Sequence, residues 1–405
     1  MAEPILELNK VTVRRGMSVV LENFSLKIAA GECVILHGSN GLGKSTVIET
    51  AARLLPMETG SVRHHGKLVM DSEGRRISPI RPFGLTLQTN CLVGSDTTQQ
   101  HLATISALNG KSIDIHPLLE LYDIANRRND LIAHLSGGQQ RKLSVISGML
   151  PGFLNETPQL IMLDEPDSGL DDAAINQLID NIHQLRNLGH ALLIATHNSK
   201  LFECATSMCS ITKTQTKQPK NNLEWSVSAS PYETKFVRLK TGLRYNLSTL
   251  VSIQRNWLAG LLVLGTLLTI VDPLVVSDHQ LMLMGFTLAP AFTMGLVGDA
   301  VLKIMNEQRT IDWWRAQHNR LPNSYPETLI SGILVTTIAM TIFLESLDYR
   351  VIVIGGLITF ITTFCVRFLQ LSTVRLARKN AVYVRLLTPI LILPWGLVVD
   401  YCSRL

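Results

Sequence analysis

HGSNGLGKST, residues His37 to Thr46, sets three glycines (Gly38, Gly41 and Gly43) ahead of Lys44, Ser45 and Thr46. A strand-like run, ECVIL, precedes it, and a helix-like run, TVIETAARLL, follows it. Glycines let a backbone curl until successive N–H groups point inward, which suits an anion. From Gly38 to Ser45 the spacing is G-x-x-x-x-G-K-[ST], the phosphate-binding loop. The backbone of Gly38, Ser39, Asn40, Gly41 and Gly43 is expected to cradle phosphate oxygens, with Thr46 in the first turn behind them. Lys44 is expected to reach the β- and γ-phosphates, and Ser45 to offer a hydroxyl to Mg2+. The following helix presents its positive end to the same anion.

The surrounding chain supports that reading. From residue 1 to about 215, short β-rich runs (ECVILHG, QLIMLDE, HALLIATH) alternate with longer helical patterns, the mark of parallel strands with crossover helices. In LIMLDEP, four apolar residues from Leu160 to Leu163 run into Asp164 and Glu165. An acid at the end of a strand beside a phosphate loop can hold Mg2+, and this is Asp164. Glu165, one residue on, is placed to polarise an attacking water.

LSGGQQRK, from Leu135 to Lys142, resembles the signature of ATP-binding cassette (ABC) proteins. The rest of that family's ordered set follows the same order here. Gln88 in FGLTLQTN matches the Q-loop, SGLD (Ser168 to Asp171) the D-loop, and His197 in LLIATHN the switch histidine. The resemblance covers about residues 5–212. It implies an α/β P-loop NTPase domain of the ABC type, with a parallel-sheet core and a helical subdomain, that binds ATP and Mg2+. It also implies that two such domains meet head to tail. Ser136, Gly137, Gly138 and Gln139 of one then face the γ-phosphate held by the other, with Asp171 close by. His197 would contact the γ-phosphate and position Glu165, and Gln88 would touch Mg2+ beside Ser45 and Asp164. Where the family usually stacks an aromatic ring on adenine, this chain has Arg15, whose guanidinium plane can also stack on a base.

The C-terminal part has a different character. The 405-residue chain is 46% hydrophobic and 17% charged, against about 25% charged in soluble proteins. Most of that deficit lies beyond residue 235. Five apolar spans are expected there, around 257–276, 281–302, 328–345, 351–370 and 386–400, the first long enough to cross a bilayer. The last contains Pro389 and Pro394 and reads as kinked or re-entrant. Lys and Arg concentrate in alternate loops, which places residues 1–256 on the cytosolic side of an inner or plasma membrane. The expected division is an ATP-binding domain over 1–215, a polar linker over 216–234, and an all-α transmembrane domain over 235–405. No secretory leader is read in MAEPILELNK. Six scattered cysteines argue against a zinc site or a disulfide framework. The net charge of +5 fits membrane-facing loops better than a nucleic-acid partner.

After the second span, MNEQRTIDWWRAQHNRLPNSYPETLISG resembles the coupling segment of type-2 ABC exporters, with Glu307, Arg309, Thr310, Trp313, Trp314 and Pro322 near the family's positions. RLARKNAVYVRLLTPILILPWGLV resembles the membrane subunit of the haem exporter of cytochrome c maturation. The resemblance implies a half-transporter that pairs as a homodimer, or as a heterodimer with a related chain, and exports an apolar cargo such as haem. His279, with Met282 and Met284 nearby, is the one external histidine on this topology. The rival readings are a type-2 exporter of lipid, drug or polysaccharide, and a membrane-tethered regulatory ATPase that moves no cargo.

Overall fold

The computed structural model describes residues 3–94, 96–211, 232–233, 235–236, 246–270, 280–299, 302, 305, 310–317, 325–344, 347–373 and 388–404. The chain divides into two compact units, Met1–Leu243 with Gln308–Leu321, and Arg244–Glu307 with Pro322–Leu405.

The first unit opens with strands β1 (Leu6–Arg15) and β2 (Ser18–Ile28), then β3 (Cys33–His37), helix α1 (Lys44–Ala51), β4 (Thr59–His64), β5 (Lys67–Asp71) and β6 (Gly84–Thr86). It continues through α2 (Thr98–Leu108), β7 (Lys111–Ser112), α3 (His116–Leu121) and α4 (Gly137–Leu154). The series ends with β8 (Leu160–Asp164), α5 (Asp172–Asn187), β9 (Ala191–Ala195), β10 (Ser207–Ser210) and β11 (Lys235–Phe236), which pairs with β7. β2, β1, β4 and β5 make an antiparallel sheet. β10, β3, β9, β8 and β6 make the parallel sheet, in that order. Its central strands are apolar throughout: CVIL in β3, LIML in β8 and ALLIA in β9 are fully buried. Runs without polar alternation are what a sheet covered on both faces requires. Because the strands are parallel, the loops after β3, β6, β8 and β9 leave the same edge, where open α/β sheets hold their ligands.

Between β6 and β8 the chain builds the helical part. α2 and α4 both start with a capping box, Thr97 with Gln100 and Ser136 with Gln139. α4 then lies directly on β6. A Cβ on Gly148 of α4 would sit 2.0 Å from Thr86 Oγ1, and one on Gly84 of β6 would sit 2.1 Å from the Gly148 carbonyl. This glycine pair is what lets the helix approach the strand that leads to Gln88.

The second unit is helical: α6 (Asn246–Ile270), α7 (Gln280–Leu296), α9 (Tyr325–Phe343), α10 (Tyr349–Thr373) and α11 (Ile392–Ser403). Between α7 and α9 in sequence lies α8 (Ile311–Gln317), which belongs to the first unit. Glycines again set the spacing. Gly332 of α9 and Gly355 of α10 face Thr359 and Thr336, and an added Cβ would lie 2.3 and 2.0 Å from their hydroxyls. Close helix approach through small residues is the usual packing mode within lipid. Leu262, Ile270, Phe364, Phe368, Leu393 and Leu397 remain exposed. Asp299 and Arg367, buried, form an ion pair.

Two of the helices, Tyr325–Phe343 and Tyr349–Leu371, are long and apolar enough to cross a membrane. Gln280–Leu296 and Ile392–Ser403 are apolar but shorter. The second expected span stops at Leu296, before Gly298, which takes a left-handed φ of 76°. In the last one the described residues form a 3-10 turn over Thr388–Leu391 followed by α11. His279, Glu307, Arg309 and Pro322 lie outside the described residues, as does the expected linker over 216–234 apart from residues 232–233.

Candidate nucleotide site

The first unit's cleft, of about 380 Å3, is lined by Arg15, Val20, Asn40, Gly41, Gly43, Lys44, Ser45, Thr46, Glu49, Gln88 and Glu165. These residues come from five places in the sequence, brought together by the strand order.

The floor is the loop after β3. Gly38, Gly41 and Gly43 have φ of 139°, 85° and 102°, a region closed to most side chains. At Gly43 a Cβ would also meet Val20 Cγ1 at 2.7 Å. Lys44 is buried and donates to the carbonyls of Gly38 at 2.7 Å and Ser39 at 3.1 Å, so its ammonium bridges the loop it follows. Burial lowers its pKa, opposed by the nearby carboxylates of Glu165 and Asp164.

The acidic end is built on β8. Ser45 donates its hydroxyl to Asp164 Oδ1 at 3.1 Å. Asp164 is buried, and burial raises its carboxyl to about 6. A carboxylate and a hydroxyl in contact, with the Gln88 amide lining the same cleft, form the hard oxygen set that Mg2+ prefers. The site residues present therefore fit the metal.

Glu165 turns away from the strand in a left-handed conformation (φ 46°), tied by its N–H to the Ala195 carbonyl at 2.8 Å. Its Oε1 lies 3.4 Å from His197 Nε2, and its Oε2 accepts from Gln88 Nε2 at 3.5 Å. One carboxylate thus lies between the residues that follow β6 and β9.

Arg15 reaches the cleft from the end of β1. Its Nε donates to Thr46 Oγ1 at 3.0 Å and its Nη2 pairs with Glu49. Both contacts tie the guanidinium to α1 at the edge of the cleft.

Ser136, Gly137, Gly138 and Gln139 are not among the residues lining this cleft. Ser136 caps α4, accepting from the Gln139 N–H at 3.3 Å, while the Gln139 side chain accepts from the Ser136 N–H at 2.9 Å. A Cβ on Gly137 would meet open space. Asp171 caps α5 and pairs with Lys142 at 2.6 Å, fixing the loop after β8 to α4.

Sequence reasoning passed over Arg141, the seventh residue of the quoted LSGGQQRK. Its buried guanidinium donates to the carbonyls of Leu87 (2.9 Å), Asp164 (2.8 Å) and Glu165 (2.5 Å) and to Asn90 Oδ1. It knits α4 to the residues either side of Gln88 and to the end of β8. The available signal was a cation two residues before the run LSVISGML, whose residues are all buried. Also missed were Glu49, and Thr196, which donates to Asp167 at 2.7 Å.

Of the residues expected in a coupling segment, Thr310, Trp313 and Trp314 are described, the two tryptophans within α8. Thr310 and Trp314 are buried, and Trp313 packs against both apolar clusters of the first unit. Trp313 itself is partly buried.

A family profile described as ABC transporter matches residues 21–168. The chain is 32% identical over 197 residues to the Nod factor export ATP-binding protein I of Sinorhizobium fredii, covering 47% of this chain and 55% of that one. It is 30% identical over 211 residues to the macrolide export ATP-binding/permease protein MacB of Escherichia coli, covering 49% of this chain and 32% of that one. A solved ATP-binding subunit of an ABC transporter superposes with a TM-score of 0.46 at 26% identity, over 53% of this chain and 90% of that one. The chain spans about half or less of the length of the curated relatives it matches. Residues 21–168, which match the ABC transporter family, hold the phosphate loop, Gln88, Ser136–Gln139 and Glu165.

Proposed function

We propose that this chain is one half of an ATP-driven exporter, which pairs through its ATP-binding domain and couples hydrolysis to movement of an apolar cargo. The observation that carries the catalytic part is the Glu165 carboxylate, 3.4 Å from His197 and 3.5 Å from Gln88, at the mouth of the phosphate loop. Lys44 exchanges the Gly38 and Ser39 carbonyls for the phosphates. Glu165 accepts a hydrogen bond from the attacking water and so polarises it, and His197 orients that water and the γ-phosphate. Ser45, Asp164 and Gln88 would hold Mg2+, which would supply charge neutralisation to the phosphates when bound.

Ser136, Gly137 and Gly138 complete the site of a second copy. The Ser136 hydroxyl and the open N-terminus of the 18-residue helix α4 form an anion-binding face. Neither copy alone surrounds the γ-phosphate, so ATP joins the two and hydrolysis separates them. A homodimer with twofold symmetry is the economical assembly, and a heterodimer with a related chain uses the same faces.

The helical unit is read as the membrane domain of a multi-pass inner-membrane protein whose ATP-binding domain is cytoplasmic. The support is its two helices of spanning length, its exposed leucines and phenylalanines, and its glycine-mediated packing. Export is the activity named for both curated relatives, and neither name mentions haem. Haem is the apolar cargo that the C-terminal stretch suggests by resemblance. The test is ATP turnover by the full chain in proteoliposomes, titrated with haem, lipids and apolar drugs, with Lys44→Ala as the inactive control. Stimulation by one cargo class supports an exporter. Silence towards every cargo, with stimulation by a partner protein, favours the tethered regulatory ATPase.

A further inference from the structure

The helix Ile311–Gln317 is fixed to the first unit by polar contacts at two points of known address. Arg53 lies two residues beyond α1, the helix that begins with Lys44 and Ser45. Its backbone is left-handed (φ 64°), an uncommon conformation for a long side chain. Its buried guanidinium donates to the carbonyls of Arg315 at 3.0 Å and Ala316 at 2.8 Å. Those carbonyls close the C-terminal turn of α8, where a cation is favoured. Gln317, the last residue of that helix and itself buried, faces Phe83. Its Nε2 donates to the Phe83 carbonyl at 2.6 Å, and its Oε1 accepts from the Phe83 N–H at 3.2 Å. The amide thus pairs with Phe83 as a neighbouring strand residue would. Phe83 immediately precedes β6, which runs directly to Gln88. Asp312, on the same helix, adds to the rise in the Glu49 carboxyl that burial causes and Arg15 opposes, so it lies within electrostatic reach of α1.

We propose that Arg53 and Gln317 form a two-point clamp that links the Ile311–Gln317 helix to the two elements ending at the nucleotide, the phosphate-loop helix and the strand before Gln88. Arg53 and Gln317 are positioning residues that touch no nucleotide. Through them, ATP occupancy and the packing of that helix bias each other by the same factor. The clamp rests on the reading of the cleft as an ATP site. It further specifies that the signal passes through one guanidinium and one amide.

The experiment is hydrogen–deuterium exchange on the full chain in detergent, in a Glu165→Gln background that keeps ATP intact, with and without ATP and Mg2+. In the parent, ATP should slow exchange both over residues 38–46 and over 311–317. In Gln317→Leu, protection of 38–46 should persist while the ATP response over 311–317 drops by about tenfold, the scale set by losing two hydrogen bonds. Should that variant release the helix altogether, Gln317→Glu decides. It keeps the acceptor for the Phe83 N–H, loses the donor to its carbonyl, and should show an intermediate response. A 311–317 response equal to the parent's in both variants overturns the clamp, as does a parent in which ATP protects 38–46 alone. A parent in which ATP protects neither stretch overturns the ATP-site reading itself, and the clamp with it.

Discussion

Glu165 and His197 face each other from the ends of two neighbouring strands, Oε1 to Nε2 at 3.4 Å, because β8 and β9 pair in parallel with Asp164 opposite Ala195. The register delivers both groups to one edge, and the left-handed turn at Glu165 rotates its carboxylate toward the histidine. Glu165→Gln keeps the shape and removes the charge. Turnover should fall by about 10²- to 10⁴-fold, while ATP binding survives and holds the chain as a dimer, read as a doubled mass in the presence of ATP. Wild-type hydrolysis in this variant contradicts the role of the carboxylate.

Asp164 links stability to pH. Burial raises its carboxyl from 3.8 to about 6, the Ser45 hydrogen bond opposing and Glu165 adding to the rise. A carboxyl raised in the folded state stabilises the fold below its unfolded pKa, and that contribution is lost as pH climbs through about 6. Without nucleotide, the group's contribution should shrink by about 3 kcal/mol at most between low and neutral pH. Mg2+ needs the carboxylate, so metal-dependent turnover should move the other way and fail below about pH 6. Urea unfolding of wild type and Asp164→Asn at pH 5 and pH 8 checks the first effect, since the asparagine variant should lose that part of the slope. Parallel slopes refute it.

Arg141→Met leaves the carbonyls of Leu87, Asp164 and Glu165 without their shared donor inside the protein. A stability loss of about 3 kcal/mol is expected, together with reduced turnover as the residues around Gln88 lose their tie to α4. Denaturation midpoints and kcat measure the two. A variant unchanged in both shows that the guanidinium is dispensable.

Gly148→Ala places a methyl group 2.0 Å from Thr86 Oγ1. The expected cost is about 1–3 kcal/mol from overpacking. Thr86→Ala removes that oxygen, so the double variant should be less destabilised than the sum of the two single ones. Strict additivity in a thermal-melting cycle argues that α4 and β6 yield to the added volume elsewhere.

Much of this was legible before the structure. Uninterrupted apolar runs ending in LDE or ATH announce buried parallel strands with chemistry at their tips, and glycines ahead of a lysine announce the phosphate loop. What stayed hidden depends on approach between remote segments. Arg53 and Ala316 are separated by 263 residues, and Gln317 and Phe83 by 234. No periodicity reports such a meeting. Arg141 looked like one more polar residue at a helix start because its acceptors are backbone carbonyls, which have no side-chain signature. Helix ends in the apolar half were also hard to read, since composition gives hydropathy but not where a left-handed Gly298 breaks the backbone.

Gln308–Leu321 clusters with Met1–Leu243, so the nucleotide-site unit is stitched from two separate pieces of the polypeptide. Severing the gene after the nucleotide-binding portion would not liberate a finished enzyme. It would strip Trp313 and Ala316 from the oily interior they help fill, and leave Arg53 and the Phe83 peptide facing water. Supplying the missing fourteen residues as a free peptide, or grafting them behind a short tether, is the way to obtain a soluble half that behaves as it does in the intact molecule.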